Sequence, residues 1–320
     1  IVDADSRLKS RFGSDVVTLP TLSGSAYELR VDEGSRTYAD EWGVVYRMPP
    51  GGYYYDPVSF PLADAETPAD LDRFTWPDPT DPHRWQASLE EAKRIRAESD
   101  KAILLAAPTL GIWLLPQFLM GMEKALMDLA LNTVLAEAIA ERVTEWYEAF
   151  WNSALAEIGP YVDYVHMEGD LGDQKGPIFS PRVFQRIYKP RLRRVIDAIR
   201  QHTTAQIWLH SCGSVYWAIP DLIDVGVEVL NPVQVAAADM DSAKLKREFG
   251  RDLTFWGGGC DPSVLQFGTP EDVEREVRRR IADFSPGGGF VFASIHNIQV
   301  NVPPENIVRM YNTALASASA

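Results

Sequence analysis

Residues 102–108 read Ala-Ile-Leu-Leu-Ala-Ala-Pro, a short apolar run without polar alternation. Such a run is typical of a strand that is buried on both faces of a parallel sheet. The apolar stretch continues to Met122, about the length of a membrane span, but Pro108, Gly111 and Pro116 interrupt it. We therefore predict a strand followed by a loop here, and no membrane-spanning helix.

Similar apolar runs recur along the rest of the chain, separated by segments with helical periodicity. Strands are predicted at residues 162–166, 205–209, 227–230, 253–256 and 290–293, and helices at 89–98, 123–158, 181–202, 217–225, 270–284 and 304–315. Strands that alternate with helices in this way favour βαβ units around a parallel sheet. A single large domain of this kind most often closes as a (β/α)8 TIM barrel, and this is the predicted α/β fold.

Residues 1–85 differ in character from the rest of the chain. They are rich in Pro, Gly, Asp and Tyr and contain short alternating pieces such as Trp42–Tyr46. This composition is typical of hairpins and loops. We predict an N-terminal extension over residues 1–85, packed on a barrel formed by residues 86–320, the two making one structural domain.

Charge and cysteine content exclude several classes of protein. The 320 residues include 31 basic and 45 acidic side chains, a formal net charge of −14, and the pI is near 4.8. This charge repels phosphate backbones and anionic membrane surfaces, so we expect neither nucleic acid nor a membrane as partner. Two cysteines cannot form a disulfide framework, and no basic segment followed by an apolar one opens the sequence. We therefore expect a protein of the reducing cytoplasm.

Chemically active side chains collect directly after the predicted strands. Three of the five histidines and both cysteines lie within a few residues of a predicted strand end. Because the active site of a parallel α/β fold lies at the carboxyl ends of its strands, this clustering is the main functional signal of the sequence. The segments concerned are His166–Gln174, His210–Gly213, Asn231–Gln234, Gly257–Asp261 and His296–Gln299.

A metal site is predicted at these strand ends. His210 and Cys212 are two residues apart at the end of an extended run, so strand alternation points both side chains the same way. Cys260 ends the next strand but one. One imidazole and two thiolates favour zinc, and a fourth position left open is typical of a catalytic zinc site. The alternative is that both cysteines are small buried hydrophobes and His210 is a hydrogen-bonded core residue.

From about Tyr38 to the C-terminus the chain resembles the uroporphyrinogen decarboxylase-like superfamily. The motifs that carry this resemblance are Asp40-Glu-Trp-Gly-Val-Val-Tyr46, Tyr55-Asp-Pro-Val58, Pro61-Leu-Ala63, Trp76-Pro-Asp-Pro79, Gly169-Asp-Leu-Gly-Asp-Gln-Lys-Gly-Pro177, Ser180-Pro181, His210-Ser-Cys-Gly213, Leu230-Asn-Pro-Val-Gln234 and Ala293-Ser-Ile-His-Asn-Ile-Gln299. The resemblance implies a (β/α)8 barrel. It also implies one of two chemistries, since fold does not choose between them.

One branch of the superfamily removes carboxyl groups from uroporphyrinogen without a cofactor, and the other comprises zinc-dependent methyltransferases that exchange methyl groups with a corrinoid. The resemblance to the second branch implies zinc ligation by His210, Cys212 and Cys260. It further implies a methyltransferase or O-demethylase whose partners are a small, aromatic or other methoxylated, methyl donor and a corrinoid (cobalamin) protein. A tetrapyrrole decarboxylase and a non-catalytic zinc or small-molecule binding barrel are the alternatives. The oligomeric state is left open, with a homodimer as one alternative.

Further site residues are predicted, most of them from positions at strand ends and Tyr55 from a loop rich in tyrosine. The resemblance also implies that Asn231, Gln234, His296 and Asn297 belong to the site. Glu168, Asp170 and His296 are expected to be catalytic. One of the two carboxylates is expected as fourth ligand and the other as the acceptor that holds the His210 tautomer, with solvated loop carboxylates as the alternative. Neutral polar and aromatic side chains are expected to bind substrate, with packing as the alternative for the aromatic ones, and these are Tyr55, Trp113, Gln174, Asn231, Gln234 and Asn297.

Overall fold

The computed structural model describes residues 6–22, 29–32 and 34–318. The helices are α1 (Ser6–Arg11), α2 (Pro68–Leu71), α3 (Gln86–Glu98), α4 (Gly111–Met120), α5 (Met122–Leu131), α6 (Thr133–Ile158), α7 (Pro181–Val183), α8 (Lys189–Arg200), α9 (Ile219–Val225), α10 (Ser242–Phe249), α11 (Pro262–Phe267), α12 (Pro270–Phe284) and α13 (Pro304–Ala318). The strands are β1 (Val16–Leu19), β2 (Arg30–Asp32), β3 (Ser35–Ala39), β4 (Val45–Met48), β5 (Asp56–Ser59), β6 (Ala102–Leu105), β7 (Tyr164–Glu168), β8 (Gln206–His210), β9 (Val229–Asn231), β10 (Thr254–Trp256) and β11 (Phe290–Val291).

The chain folds into two compact units. The first unit comprises Ile1–Val17, Asp170–Ile178 and Gln206–Ala320, and the second comprises Thr18–Gly169 and Phe179–Ala205. The domain boundary predicted after residue 85 stays a prediction.

In the first unit the strands β8, β9, β10 and β11 pair side by side, all parallel. The register sets His210 opposite Asn231 and Trp256 opposite Val291. Because β8–β10 carry almost continuous apolar side chains, they are buried on both faces, and helices α9–α13 connect and cover them. Their carboxyl ends therefore carry the polar residues that the sequence places after each run.

In the second unit the parallel pair β6–β7 is accompanied by the long helix α6 and by an antiparallel sheet of order β2-β3-β4-β5. Arg84, which precedes α3, and Glu41, between β3 and β4, form a buried two-pronged ion pair with N–O distances of 2.9 and 2.6 Å. This planar fork, in which both side chains are almost fully buried, fixes the β3–β4 hairpin to the start of α3.

The predicted fold class is confirmed. Parallel strands alternate with helices in both units, as in the (β/α)8 barrel class, and a hairpin sheet is present in the N-terminal region. Each apolar run predicted as a strand overlaps an observed strand. Among the residues that the structure describes, no helix has both the length and the apolar character needed to cross a membrane.

The segment after β6 is a correction, because the predicted loop is the helix α4. Ile112, Leu115 and Leu119 are fully buried, and an irregular loop at that depth would leave backbone amides without partners. A helix satisfies these groups internally, and this outweighs the one hydrogen bond that Pro116 removes. The predicted helix 123–158 is also interrupted, at Asn132, whose side chain caps α6 by accepting a hydrogen bond from Leu135 N–H.

Candidate functional site

Three side chains of the types that can ligate a metal meet in the first unit. His210 ends β8 and Cys212 follows it, with His210 Nε2 and Cys212 Sγ 3.5 Å apart. His296, on the segment after β11, joins them, and one ligand atom from each of the three lies within 4.8 Å of the others. The two imidazole rings lie edge to face with centroids 5.7 Å apart. His210 and Cys212 are half-buried whereas His296 is exposed, so the group opens to one side.

Neighbouring side chains hold this group in place. Cys212 N–H donates to Asp170 Oδ1 at 2.8 Å, and His210 Nδ1 lies 2.8 Å from Asn231 Oδ1. Ser211, between the two predicted ligands, is fully buried, and its hydroxyl accepts a hydrogen bond from Leu171 N–H at 2.9 Å. The backbone that carries both ligand side chains is therefore fixed from two sides.

The loop 170–178 is part of this frame. Gly172 and Gly213 touch backbone to backbone: a Cβ on Gly213 would lie 2.3 Å from Gly172 O, and one on Gly172 would lie 2.5 Å from Ser214 O. Ser214 N–H donates to Asp173 O at 2.7 Å. Hydrogen bonds from backbone amides, that of Lys175 first, lower the pKa of the Asp173 carboxyl, so this carboxylate stays charged while it orders the loop.

Cys260 is not brought to the other two predicted zinc ligands. Gly257 and Gly258 have positive φ angles of 96° and 74°, and after this turn the Cys260 side chain, 1% exposed, packs into an apolar cluster. The cluster comprises Leu265, Val273, Val277, Val302 and Met310. Burial raises the pKa of the Cys260 thiol to about 12, so the neutral form is favoured there. In the ligand group of the described residues, His296 stands where the sequence predicted Cys260.

The four predicted amide residues have different surroundings, and two of them form a pair. Gln234 Oε1 accepts hydrogen bonds from Gln174 Nε2 at 2.9 Å and from Gly213 N–H at 3.1 Å, which places this amide pair beside the Cys212 loop. Asn231 contacts His210, and its Nδ2 donates to Trp256 O at 3.1 Å. Asn297 is exposed and adjoins His296 in the chain.

Three predicted site residues belong to the second unit. Glu168 ends β7, and its Oε2 lies 2.8 Å from Nε2 of His166, a residue that the sequence analysis placed at a strand end without a role. Trp113 is 1% exposed and packs edge to face against Phe184, so it is a core residue of this unit. Tyr55 packs edge to face on Tyr38 of the antiparallel sheet, with centroids 5.1 Å apart.

The donor set in the first unit suits zinc. Imidazole nitrogen and thiolate sulfur are preferred zinc ligands, and three protein ligands with an open fourth position are typical of catalytic sites. Sequence reasoning found His210 and Cys212 but missed His296 as a member of the group, although its place directly after the last strand was the same kind of signal. It also missed the contact between Asn231 and His210, which the opposite positions of the two residues on β8 and β9 create.

Comparison with known proteins gives a family match and curated relatives that bear the same name. Residues 37–316 match the protein family described as uroporphyrinogen decarboxylase (URO-D). A uroporphyrinogen decarboxylase of Pseudoalteromonas atlantica is 28% identical over 162 residues, 45% of this chain and 41% of that protein. One of Mannheimia succiniciproducens is 42% identical over 64 residues, 20% of this chain and 18% of that protein. The matches thus span less than half the length of these curated relatives.

Among solved structures, a methyltransferase from Methanosarcina mazei shares the fold, with a TM-score of 0.66 and 21% identity. The match covers 98% of this chain and 84% of that one.

Proposed function

We propose that this chain, which belongs to the uroporphyrinogen decarboxylase family, is a zinc-dependent methyltransferase or O-demethylase. It would move a methyl group between a small methylated compound, such as a methoxylated aromatic, and a corrinoid held by a partner protein. The family resemblance predicted from the sequence motifs is confirmed. The curated relative and the similar solved structure are both enzymes, a decarboxylase and a methyltransferase respectively.

The observation that carries the proposal is the meeting of His210 Nε2 and Cys212 Sγ at 3.5 Å, with His296 beside them. These three side chains would hold the zinc ion, and the open side next to His296 would leave room for substrate. Bound zinc supplies a Lewis acid, which lowers the pKa of a thiol or polarises an ether or alcohol oxygen.

The remaining task of the chain is positioning, since methyl transfer needs donor and acceptor in line. Asp170 fixes Cys212 through its backbone N–H, and the rigid loop 170–178 keeps this contact in place. The amide pair Gln174–Gln234 lies beside the same loop and offers hydrogen-bonding groups to a substrate oxygen. We propose that this pair orients the methylated compound.

A second candidate function is decarboxylation of a tetrapyrrole, which the names of the curated relatives favour. A substrate with several carboxylates calls for cationic side chains. The polar groups gathered around His210 are instead a thiol, a second imidazole, an amide and, through the Cys212 backbone, the carboxylate of Asp170. This composition favours the metal-dependent reaction.

The proposal is tested by a methyl-transfer assay with the purified, zinc-loaded protein and a reduced cobalamin. Methanol, methoxylated benzoates and methylated thiols would be offered in turn, and methylation of the cobalt followed by absorbance. We expect turnover with at least one donor and a loss of about 100-fold or more in His210→Gln, because an amide replaces a metal-binding imidazole. His83→Gln, at an exposed position in the second unit, is the matched control and is expected to keep full activity.

Uroporphyrinogen is offered to the same preparations, with and without zinc. Metal-independent release of CO2 from it would overturn the proposal in favour of the decarboxylase. Zinc binding without turnover of any compound in either assay would leave only the binding barrel that the sequence analysis kept as an alternative.

A further inference from the structure

Asn231 is held in one orientation by two neighbours. Its Nδ2 lies 3.1 Å from the backbone oxygen of Trp256, and its backbone oxygen accepts a hydrogen bond from Ser211 N–H at 2.7 Å. A carbonyl oxygen only accepts hydrogen bonds, so the group that meets Trp256 O has to be the amide NH2. The hydrogen-bond network thus assigns the remaining atom, Oδ1, to the side facing His210.

This orientation determines which nitrogen of His210 carries hydrogen. Asn231 Oδ1 lies 2.8 Å from His210 Nδ1, and an amide oxygen is an acceptor only. Nδ1 therefore donates, and in a neutral ring the lone pair is then on Nε2. That is the nitrogen that lies 3.5 Å from Cys212 Sγ.

We propose that Asn231 is a positioning residue that fixes His210 in the Nδ1–H form, so that the Nε2 lone pair is directed into the ligand group. This differs from the substrate-binding role expected from the sequence, and from the expectation that Glu168 or Asp170 holds the tautomer. The identity of the group that Nε2 binds rests on the proposed function, whereas the tautomer itself does not.

The register of the sheet places the Asn231 side chain beside the His210 ring. His210 and Asn231 are opposite partners on the parallel strands β8 and β9, so the amide reaches the ring without any loop having to close. A ligand already in the right tautomer and orientation binds metal without rearrangement, and hydrogen-bond partners of this kind typically contribute 10–100-fold in metal affinity. The cost of removing Asn231 should therefore appear in metal affinity more than in folding.

The first test is histidine ring 15N NMR of the metal-free protein at one pH, about 8.5, where ordinary imidazoles are neutral. The chain has five histidines, and His210→Gln assigns the signal concerned. In the parent we expect hydrogen on Nδ1 of His210. Asn231→Asp loses the hydrogen bond to Trp256 O but keeps the acceptor for Nδ1 and should keep this form, whereas Asn231→Leu should shift the ring toward the Nε2–H form. A parent ring in the Nε2–H form, or one indifferent to Asn231→Leu, would overturn the proposal.

The second test is zinc affinity, measured by competition with a chromogenic chelator. We expect Asn231→Leu to bind zinc about 10–100-fold more weakly and Asn231→Asp to bind within about threefold of the parent. Asn312→Leu, which removes an exposed amide on α13 that has no proposed role, is the matched control and should stay near the parent. Equal affinity in Asn231→Leu and Asn312→Leu would overturn the positioning role.

The two tests separate this inference from the proposed function. If the parent binds no zinc but shows the Asn231-dependent tautomer, the proposed function fails and the assignment of Asn231 holds. Circular dichroism checks that Asn231→Leu is folded. If it is not, Asn231→Ala removes the same acceptor with less bulk and takes its place in both tests.

Discussion

The two cysteines of this chain follow strands of the same parallel sheet, yet their surroundings are opposite. Cys212, after β8, is half-buried beside His210 and His296, and its backbone N–H donates a hydrogen bond to the Asp170 carboxylate. Cys260, after β10, is buried among valine, leucine and methionine side chains. A position directly after a strand therefore does not by itself make a side chain part of a site. The direction that the chain takes in the next two or three residues decides it.

The physical difference between the two sites is the polarity of the surroundings in which each turn places the thiol. After β8, the hydrogen bonds from Cys212 N–H to Asp170 and from Leu171 N–H to the Ser211 hydroxyl hold the chain in place. At Cys260 the turn through Gly257 and Gly258 delivers the side chain to the faces of α12 and α13. A thiolate is stabilised at a polar or metal-binding position and disfavoured in an apolar one. We accordingly expect one reactive thiol and one inert one.

Thiol reactivity should show the largest difference between the two sites. With a disulfide reagent at about pH 8, metal-free Cys260→Ser should be modified at least ~1000-fold faster than metal-free Cys212→Ser, because a pKa near 12 leaves only about 10⁻⁴ of the Cys260 thiol ionised and the cluster must also open. Release of the coloured thiol gives both rates. Similar rates in the two variants would show that Cys260 is accessible and that the contrast is wrong.

Zinc affinity comes next in size. Cys212→Ser is expected to bind zinc about 100-fold more weakly than the parent, since a hydroxyl replaces the proposed thiolate ligand. Cys260→Ser is expected to stay within about threefold of the parent. Isothermal titration of the two variants, with the parent as reference, measures both. A large loss in Cys260→Ser would instead support the three ligands that the sequence predicted, and would require the chain after β10 to turn Cys260 toward His210.

Alkaline stability should give the smallest effect. The folded-state pKa of Cys260 is raised from 9.0 to about 12, so above pH 9 the unfolded chain releases a proton that the folded chain keeps. Stability falls as pH rises through this range, by about 2 kcal/mol at about pH 10.5 from this group.

Urea unfolding of the metal-free protein between about pH 8.5 and about pH 10.5 measures that loss. Cys260→Val should lose less stability than the parent by this amount, whereas Cys212→Ser should follow the parent. A parallel decline in all three proteins would place the alkaline effect elsewhere, for instance at buried tyrosines such as Tyr147, whose pKa burial also raises.

Much of the fold could be predicted because apolar runs are a local signal. The run at 102–108 became β6, and the run at 205–209 became β8 with His210 at its end. The helix α4 could not be predicted, since Gly111 and Pro116 are helix-breaking in isolation and only the depth of burial around Ile112 outweighs them.

The grouping of the candidate site residues could be predicted only where it depends on a local signal. His210 and Cys212 share one strand end, so their proximity followed from strand alternation. Whether Cys260 or His296 lies beside this pair depends on a glycine turn and on packing against distant helices, neither of which has a local signature. The contact of Asn231 with His210 required the register of β8 against β9, which periodicity does not give.

The backbone contact between Gly172 and Gly213 also limits which substitutions the sequence can accept during evolution. A methyl group at either position would collide with peptide oxygen of the other loop, and no side-chain adjustment relieves a clash with backbone. Replacing either glycine alone therefore requires the backbone to move, so neither position accepts a substitution as a single step. Exposed neighbours such as Lys175 are open to exchange, so divergence in the loop 170–178 should accumulate around an unchanging Gly172.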